Sequence, residues 1–187
     1  GHAHPAWNYY APDILPIRLP AIDVLDVNQV LNYGVGDTLA QELSGKRGVW
    51  LVLWQDNVVD PVGFVPDFLR REGRELPVSR HFSQIDLKHF SLPATAEFSS
   101  NPPITHFART NFSNQVELIG WSQPEIEESA FPALRLEWQA LRPLTATLKF
   151  TGDILDGEGH LWGRIDDQRL TTYTYPTTRW TPNQPVF

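Results

Sequence analysis

Residues 48–61, GVWLVLWQDNVVDP, constrain the fold of this chain more than any other stretch. Residues 49–54 form an apolar run without polar alternation, which is typical of a strand covered on both faces in a parallel sheet. Polar residues end the run. Asp60 before Pro61 then indicates a helix start, because a carboxylate accepts orphan amide protons and proline suits the first helical position. The stretch therefore predicts a buried strand, a polar turn and a helix.

The neighbouring segments extend this pattern. Upstream, residues 17–19 are predicted to form a short strand, and Asp37 can cap a helix that Gly45 closes. Downstream, the apolar residues among 64–69 form one helical stripe. The order of strand, helix, strand and helix predicts a small α/β layer of Rossmann-like type. Its first strand is expected to lie before Gly1.

The pattern changes in the second half of the chain. Residues 84–92 alternate as a half-buried strand, and residues 97–103, EFSSNPP, are predicted to be an exposed linker. Four further strand candidates follow at residues 116–121, 133–141, 147–155 and 161–165. In the second of these, apolar residues alternate with a polar face made of Arg135, Glu137 and Gln139.

These patterns predict an α+β fold class with two domains. Residues 1–96 are assigned to the partial α/β subdomain, and residues 97–187 to an antiparallel, jelly-roll-like β-sandwich that is expected to be incomplete. The chain contains no methionine, so we interpret it as a fragment of a longer protein. The terminal pair His2 and His4 is interpreted as loop sequence rather than as a metal site.

Composition restricts the partners. The formal net charge is −7 and no run of Lys or Arg is present, which argues against a nucleic-acid partner. There is no cysteine, so a disulfide framework and a thiolate metal site are both excluded. No apolar run approaches the roughly 20 residues that a membrane span requires. The sequence predicts a soluble fragment.

Five blocks of the sequence are similar to a single protein family. They read GVWLVLWQDNVVDPVGFVPDFLRREG, FSQIDLKHFSL, NQVELIGW, ALRLEWQALRPL and YPTTRWTPNQPVF. Together they resemble the soluble region that follows the membrane helices in bacterial glycosyltransferases of family 39. These enzymes are relatives of the dolichyl-phosphate-mannose-protein mannosyltransferases in the C-type superfamily. The resemblance covers most of the chain, and its most specific parts are VWLVLWQD and the pair WQALRPL and PTTRW.

The resemblance implies a module on the extracytoplasmic face of the cell membrane, joined to the transmembrane part of the same polypeptide. In such enzymes the catalytic carboxylate lies in a loop between transmembrane helices, so no catalytic residue is carried onto this sequence. The β half looks like a carbohydrate-binding module. The implied partners are a glycan or a polyprenyl-phosphate-sugar, and this fragment itself is expected not to be an enzyme.

Aromatic residues of the β half are the leading candidates for ligand contact. Exposed rings stack on the apolar faces of sugars, because they offer a large contact area and lose little side-chain entropy. Trp162 beside His160 is the best candidate for a stacking platform. The other candidates are Tyr173, Tyr175, Trp180 and Trp121. Packing within the core is the alternative interpretation of all these rings.

Two sets of carboxylates are candidates for other chemistry. Asp56 and Asp60 could act on a glycoside if their carboxyl groups lay roughly 5 to 9 Å apart. The alternative assigns Asp60 to a helix cap and Asp56 to a turn. Asp153, Asp156 and Glu158 could hold a structural calcium ion, although their spacing departs from an EF-hand loop. The alternative is a hairpin turn. No other cofactor is predicted.

Three functions therefore remain open. The first is a non-catalytic module of a membrane glycosyltransferase that helps to position an acceptor or a glycan. The second is a structural or protein-interaction domain without a ligand, which an exposed apolar patch at a sheet edge, without a sugar-sized groove, would favour. The third is a weak carboxylate-dependent glycoside hydrolase that uses Asp56 and Asp60.

Overall fold

The computed structural model describes Tyr9, residues 13–123 and residues 133–187, without the side chains of residues 78–81. Within this part, the chain is mostly antiparallel β-sheet with few helices. It divides into two compact units, Gly1–Asn101 and Pro102–Phe187. None of the described helices is long and apolar enough to cross a membrane. The pair His2 and His4 lies outside the described residues.

The described part of the first unit combines short helices with one sheet. In chain order, its elements are α1 (Val35–Glu42), β1 (Gly48–Leu53), α2 (Asp56–Val59), α3 (Phe64–Glu72), β2 (Arg74–Phe82) and β3 (Ile85–Ser91). The strand order in the sheet is β1-β3-β2, and both pairings are antiparallel. The strand predicted at residues 84–92 is therefore the central strand, β3.

Helix α3 supplies much of the core of this unit, as its apolar stripe predicts. Its buried side chains are Phe64, Val65, Phe68 and Leu69. The ring of Tyr33 meets that of Phe64 edge-on, with 4.9 Å between the ring centroids. The helix ends at Gly73, where a Cβ atom would lie 2.5 Å from the carbonyl oxygen of Ser91. This close approach explains why glycine occupies the end of the helix.

The environment of strand β1 differs from the prediction. The apolar run predicts coverage on both faces in a parallel sheet, whereas the strand pairs antiparallel with β3 at one edge of the sheet. Exposed and half-buried residues alternate along it, and Trp50 is 54% exposed. The reason is that the following hairpin, β2–β3, provides the pairing partner. The sequence of β1 itself carries no information about this hairpin.

Two other predictions for the first unit are wrong. Residues 17–19 form no strand, and Pro16 and Pro20 lack the amide donors that a sheet ladder needs. Helix α1 begins at Val35, so Asp37 lies inside the first turn and does not precede the helix as a cap. In that position its charge still complements the positive end of the helix dipole.

The described part of the second unit is built from two antiparallel sheets. The first, in the order β4-β5-β6-β9, contains β4 (His106–Phe112), β5 (Val116–Ser122), β6 (Arg135–Ala140) and β9 (Pro185–Val186); the second is a hairpin of β7 (Lys149–Leu155) and β8 (Leu161–Arg169). A short 3₁₀ turn, Thr177–Arg179, precedes β9. The four strands predicted in this half correspond to β5, β6, β7 and β8 and are confirmed within a few residues.

Strands β2 and β4 are not predicted by the sequence analysis, and both are irregular. The register of β2 against β3 shifts between Leu76 and Arg80, and Pro77 lies in this interval. The register of β4 against β5 shifts between Phe107 and Thr110. Such shifts interrupt the alternation of apolar and polar residues that identifies a strand in a sequence.

Trp138 connects the two sheets of the second unit. Its ring lies 5.9 Å from that of Phe112 and 6.0 Å from that of Phe150, measured between centroids. The neighbouring Glu137 is also fully buried, so the polar face predicted for β6 is wrong at this position. Its carboxylate accepts a hydrogen bond of 2.7 Å from Arg135. This ion pair is what allows a charge to occupy the core.

Candidate functional site

The tight turn at the end of the β7–β8 hairpin carries several of the predicted site residues. Asp156 organises this turn, because its Oδ1 accepts hydrogen bonds of 2.9 Å from the amides of Glu158 and His160. Its Oδ2 lies 3.2 Å from Nδ1 of His160. These hydrogen bonds, above all the one from the His160 amide, hold the pKa of Asp156 below its ordinary value. Asp156 is therefore a turn residue.

Large apolar side chains flank the turn in contact with solvent. Leu155 and Leu161 face each other across the hairpin, and each is more than half exposed. Trp162 follows at a register shift and is 75% exposed. Apolar groups of this size beside polar atoms are typical of a contact surface. We name Asp156, Glu158, His160, Leu161 and Trp162 the hairpin tip.

An ion pair lies on the hairpin close to its tip. Arg164 donates from Nε and Nη2 to the two carboxylate oxygens of Asp153, at 2.7 and 3.1 Å. Hydrogen bonding from Arg164 lowers the pKa of Asp153. Both oxygens of Asp153 are thus already occupied by a cation of the chain itself, which removes this residue from the predicted calcium set. Among the described side chains, no group of three or more His, Asp or Glu residues is arranged to hold a metal ion.

The aromatic candidates that reach solvent are spread over the second unit. Trp162 and His160 lie together at the hairpin tip. Tyr173 is 79% exposed, but its ring lies against Arg169 at the far end of β8, about 20 Å along the strand from Trp162. Trp121 belongs to β5 and stacks on His106 of β4, with 3.9 Å between the ring centroids. The structure therefore brings together only Trp162 and His160.

The two remaining aromatic candidates are buried. Tyr175 and Trp180 are 5% and 4% exposed, so neither ring offers a face to a ligand. The indole nitrogen of Trp180 donates a hydrogen bond to the carbonyl oxygen of Tyr175 at 3.4 Å. Burial raises the pKa of the Tyr175 phenol. These two residues belong to the core of the second unit, as the alternative interpretation predicts.

Asp60 caps helix α3, as one of the two sequence interpretations predicts. Its carboxylate accepts hydrogen bonds from the amides of Phe64 at 2.7 Å and Val65 at 2.9 Å. Asp56, in contrast, is exposed in α2. Catalysis by the pair would need a carboxyl group that reaches a substrate, whereas Asp60 is buried and both of its oxygens bind the backbone. This geometry favours the structural interpretation of both residues.

The burial of Asp60 predicts a pH-dependent stability. Desolvation raises its pKa to about 6, and the hydrogen bonds from Val65 and Phe64 oppose this effect. A pKa that is higher in the folded state gives a stabilisation that is complete below about pH 4 and is lost as the pH rises through 6. Relative to the Asp60→Asn variant, we expect the wild type to lose about 3 kcal/mol of unfolding free energy between pH 3 and 7. Urea unfolding at each pH measures this difference, and parallel pH profiles of the two proteins would contradict it.

Sequence reasoning misses the cross-strand contacts. Trp50 stacks on His89 with 4.2 Å between the centroids, and Asp153 pairs with Arg164. Such neighbours depend on the register of the strands, which an alternating pattern does not specify. The sequence carries no signal for either pair. A turn at residues 157–159 alone would place residue 153 opposite 163, and the register shift at Trp162 moves the pairing to 164.

Two shallow cavities lie in the first unit, away from the predicted site residues. One has a volume of about 380 Å³ and is lined by Leu43 and Phe98 among others. The second, of about 490 Å³, is lined by residues that include Arg71 and Leu92. No family model, curated protein or solved structure matches this chain. The chemistry of the hairpin tip is therefore the main basis for assigning a function.

Proposed function

We propose that this chain is a non-catalytic, extracytoplasmic module of a membrane glycosyltransferase, and that it helps to position a glycan or an acceptor. The observation that carries the proposal is the exposed ring of Trp162 beside the polar turn of the hairpin tip. A sugar needs both kinds of group, because its C–H face stacks on an aromatic ring while its hydroxyls form hydrogen bonds.

The hairpin tip offers hydrogen-bonding groups in a fixed arrangement. The side chains of Glu158 and His160 are 82% and 73% exposed, and the Asp156 turn fixes the backbone that carries them. Arg164, which binds Asp153 through Nε and Nη2, adds further N–H donors on the same hairpin. An open platform of this kind contacts few sugar units. We therefore expect dissociation constants on the order of 1 mM, equivalent to about −4 kcal/mol.

The sequence resemblance supports the remaining parts of the proposal. In this account the second unit is a jelly-roll-like, carbohydrate-binding-module-like sandwich, and its two antiparallel sheets are compatible with that architecture. The catalytic group and the lipid-linked sugar donor belong to the transmembrane part of the same polypeptide. The module then acts by raising the local concentration of the acceptor near that site.

Titration of the whole chain with oligosaccharides and with polyprenyl-phosphate head groups tests this proposal. We expect saturable binding of at least one glycan by the wild type, and binding about tenfold weaker or less by Trp162→Ala, because the stacking face is removed. Isothermal titration calorimetry measures both affinities. The stability of this variant should match that of the wild type, because the ring is 75% exposed.

The matched control is Trp50→Ala, which removes an exposed tryptophan from the first unit and should leave glycan affinity unchanged. Polyprenyl-phosphate binding without glycan binding would identify the lipid-linked sugar as the ligand class. Two results would contradict the proposal: no binding of any of these probes by the wild type, or equal affinity of Trp162→Ala and the wild type.

A second candidate function is a protein-interaction domain. The apolar side chains of Ile154, Leu155 and Leu161 are exposed on the same hairpin, and both cavities described above lie elsewhere. A surface of this kind can bind another protein by burying apolar area. The variant Leu155→Ser with Leu161→Ser separates the two functions. It should abolish binding to a protein partner while the glycan still stacks on Trp162.

A further inference from the structure

Strand β1 is an unprotected edge of the three-stranded sheet. Its six residues, GVWLVL, include no charged residue and no proline, and its register against β3 contains no shift. The opposite edge of the same sheet, β2, contains Pro77 and a register shift. Proteins protect sheet edges from other strands with charges, prolines and bulges of this kind. The lack of all three in β1 indicates that another strand covers it.

The backbone of β1 has groups available for a second ladder. The amide of Leu92 donates to the carbonyl oxygen of Arg47 at 2.9 Å, which continues the ladder between β1 and β3. Because these groups alternate in an antiparallel pair, the backbone polar groups of Gly48, Trp50 and Val52 point away from β3. The backbone hydrogen bonds within the described part of the chain give these three residues no partner on that side.

One face of the sheet beside this edge is apolar and open. The indole of Trp50 stacks on His89, with an angle of 4° between the rings. Next to it, Val52 is 44% exposed and lies opposite Leu87 of β3. A strand added to this edge would therefore bury apolar side chains and form backbone hydrogen bonds at the same time. These are the two sources of affinity in β-strand addition.

We propose that β1 pairs antiparallel with β1 of a second copy of this chain, about a two-fold axis at Leu51. This register pairs Trp50 with Val52 of the second copy, so the outward backbone groups of both strands meet. A two-fold contact requires one patch to complement itself. Strand β1 meets this requirement because its six residues are all uncharged.

The charges at the two ends of the strand support this occupant and this register. Lys46 and Arg47 precede β1, Asp56 follows it, and all three side chains are exposed. Antiparallel pairing about Leu51 brings the start of one strand, which Lys46 and Arg47 precede, next to the end of the other strand, which Asp56 follows. None of these three side chains forms an ion pair with another described residue. The dimer would join two three-stranded sheets into one and remove the unprotected edge.

Sedimentation velocity over a range of protein concentrations tests the dimer. We expect the wild type to dimerise reversibly. The Val52→Lys variant should dissociate about tenfold more readily or more, because the dimer would bury its charge beside Trp50 of the second copy. The matched control is Ile85→Lys on the central strand β3, which should dimerise as the wild type does. A wild type that stays monomeric at millimolar concentration would overturn the proposal. The strand that pairs with β1 would then have to come from a different protein.

A single introduced thiol tests the register, because the chain contains no cysteine. Leu51→Cys should form a disulfide-linked dimer on mild oxidation, since Cα atoms of a non-hydrogen-bonded pair lie about 4.5 Å apart. Val49→Cys is the control and should not cross-link, because Val49 faces Leu53 of the second copy. Charge reversal adds a second test. Lys46→Asp or Asp56→Lys alone should weaken the dimer, and the double exchange should restore it. In the cysteine test, cross-linking of Val49→Cys in preference to Leu51→Cys would contradict this register.

Discussion

Phe68→Ala should lower the free energy of unfolding of the first unit by about 3–5 kcal/mol. The Phe68 side chain is 1% exposed and lies edge-on to Tyr33, with 6.1 Å between the ring centroids. The guanidinium of Arg71 also lies 4.6 Å from the centre of the Phe68 ring. Truncation therefore removes apolar contacts, leaves a cavity and withdraws a cation–π partner. A loss of this size is a large part of the 5–15 kcal/mol that stabilises an ordinary domain.

Denaturant unfolding, followed by the backbone amide signals of the first unit in nuclear magnetic resonance spectra of a ¹⁵N-labelled sample, measures this loss. Phe82→Ala is the control, because its ring is 51% exposed and its removal should cost less than about 1 kcal/mol. If Phe68→Ala and Phe82→Ala were equally stable, α3 would not supply the core of the first unit.

Glu137→Ala should destabilise the second unit by about 3–5 kcal/mol. The side chains of Glu137 and Arg135 are 0% and 9% exposed, and they form a hydrogen bond of 2.7 Å. The guanidinium of Arg135 also lies 3.4 Å from the centre of the Phe187 ring. Removing the carboxylate breaks this buried ion pair with Arg135. The expected cost is that of breaking a buried ion pair, which exceeds the loss of one neutral hydrogen bond.

Two further variants separate the possible causes. Replacing both members, as Arg135→Met with Glu137→Leu, should recover most of the lost stability, because an apolar pair needs no neutralisation. Asp153→Ala removes an exposed ion pair of the same chemistry and should have little effect on thermal unfolding. A double variant as unstable as Glu137→Ala would show that the volume of these side chains, and not their charge, is responsible.

The sequence predicts best the elements whose signals are local. The burial of the apolar stripe of helix α3 confirms one part of its prediction, and the hydrogen bonds from Phe64 and Val65 confirm that Asp60 caps it. The predicted start at Pro61 is wrong, because the helix begins at Phe64. Strands β5 to β8 lie between segments rich in turn residues, so they are also recognisable, although register shifts occur in β5, β7 and β8. Strand β1 shows where this reasoning ends: its apolar run predicts a strand correctly but not its antiparallel pairing or its edge position.

The candidate site is less predictable because burial depends on distant parts of the chain. Trp162 and Trp180 lie in similar sequences rich in aromatic and polar residues, yet one is exposed and the other is buried. Only the packing of the second unit distinguishes them. Glu137 is the opposite case: a charged residue in an alternating strand predicts exposure to solvent, but its side chain is fully buried. The buried partner that changes this outcome, Arg135, lies two residues away on the same strand.

The most direct test of the central claim is residue-specific. The chain contains seven tryptophans, and nuclear magnetic resonance of a ¹⁵N-labelled sample gives one indole signal for each. During titration with the glycan that binds best, we predict that the Trp162 signal shifts progressively to saturation. The signals of the buried Trp138 and Trp180 should stay in place. A titration that shifts Trp50 but not Trp162, or that shifts no indole signal at all, would contradict the assignment of the hairpin tip as a glycan-contact site.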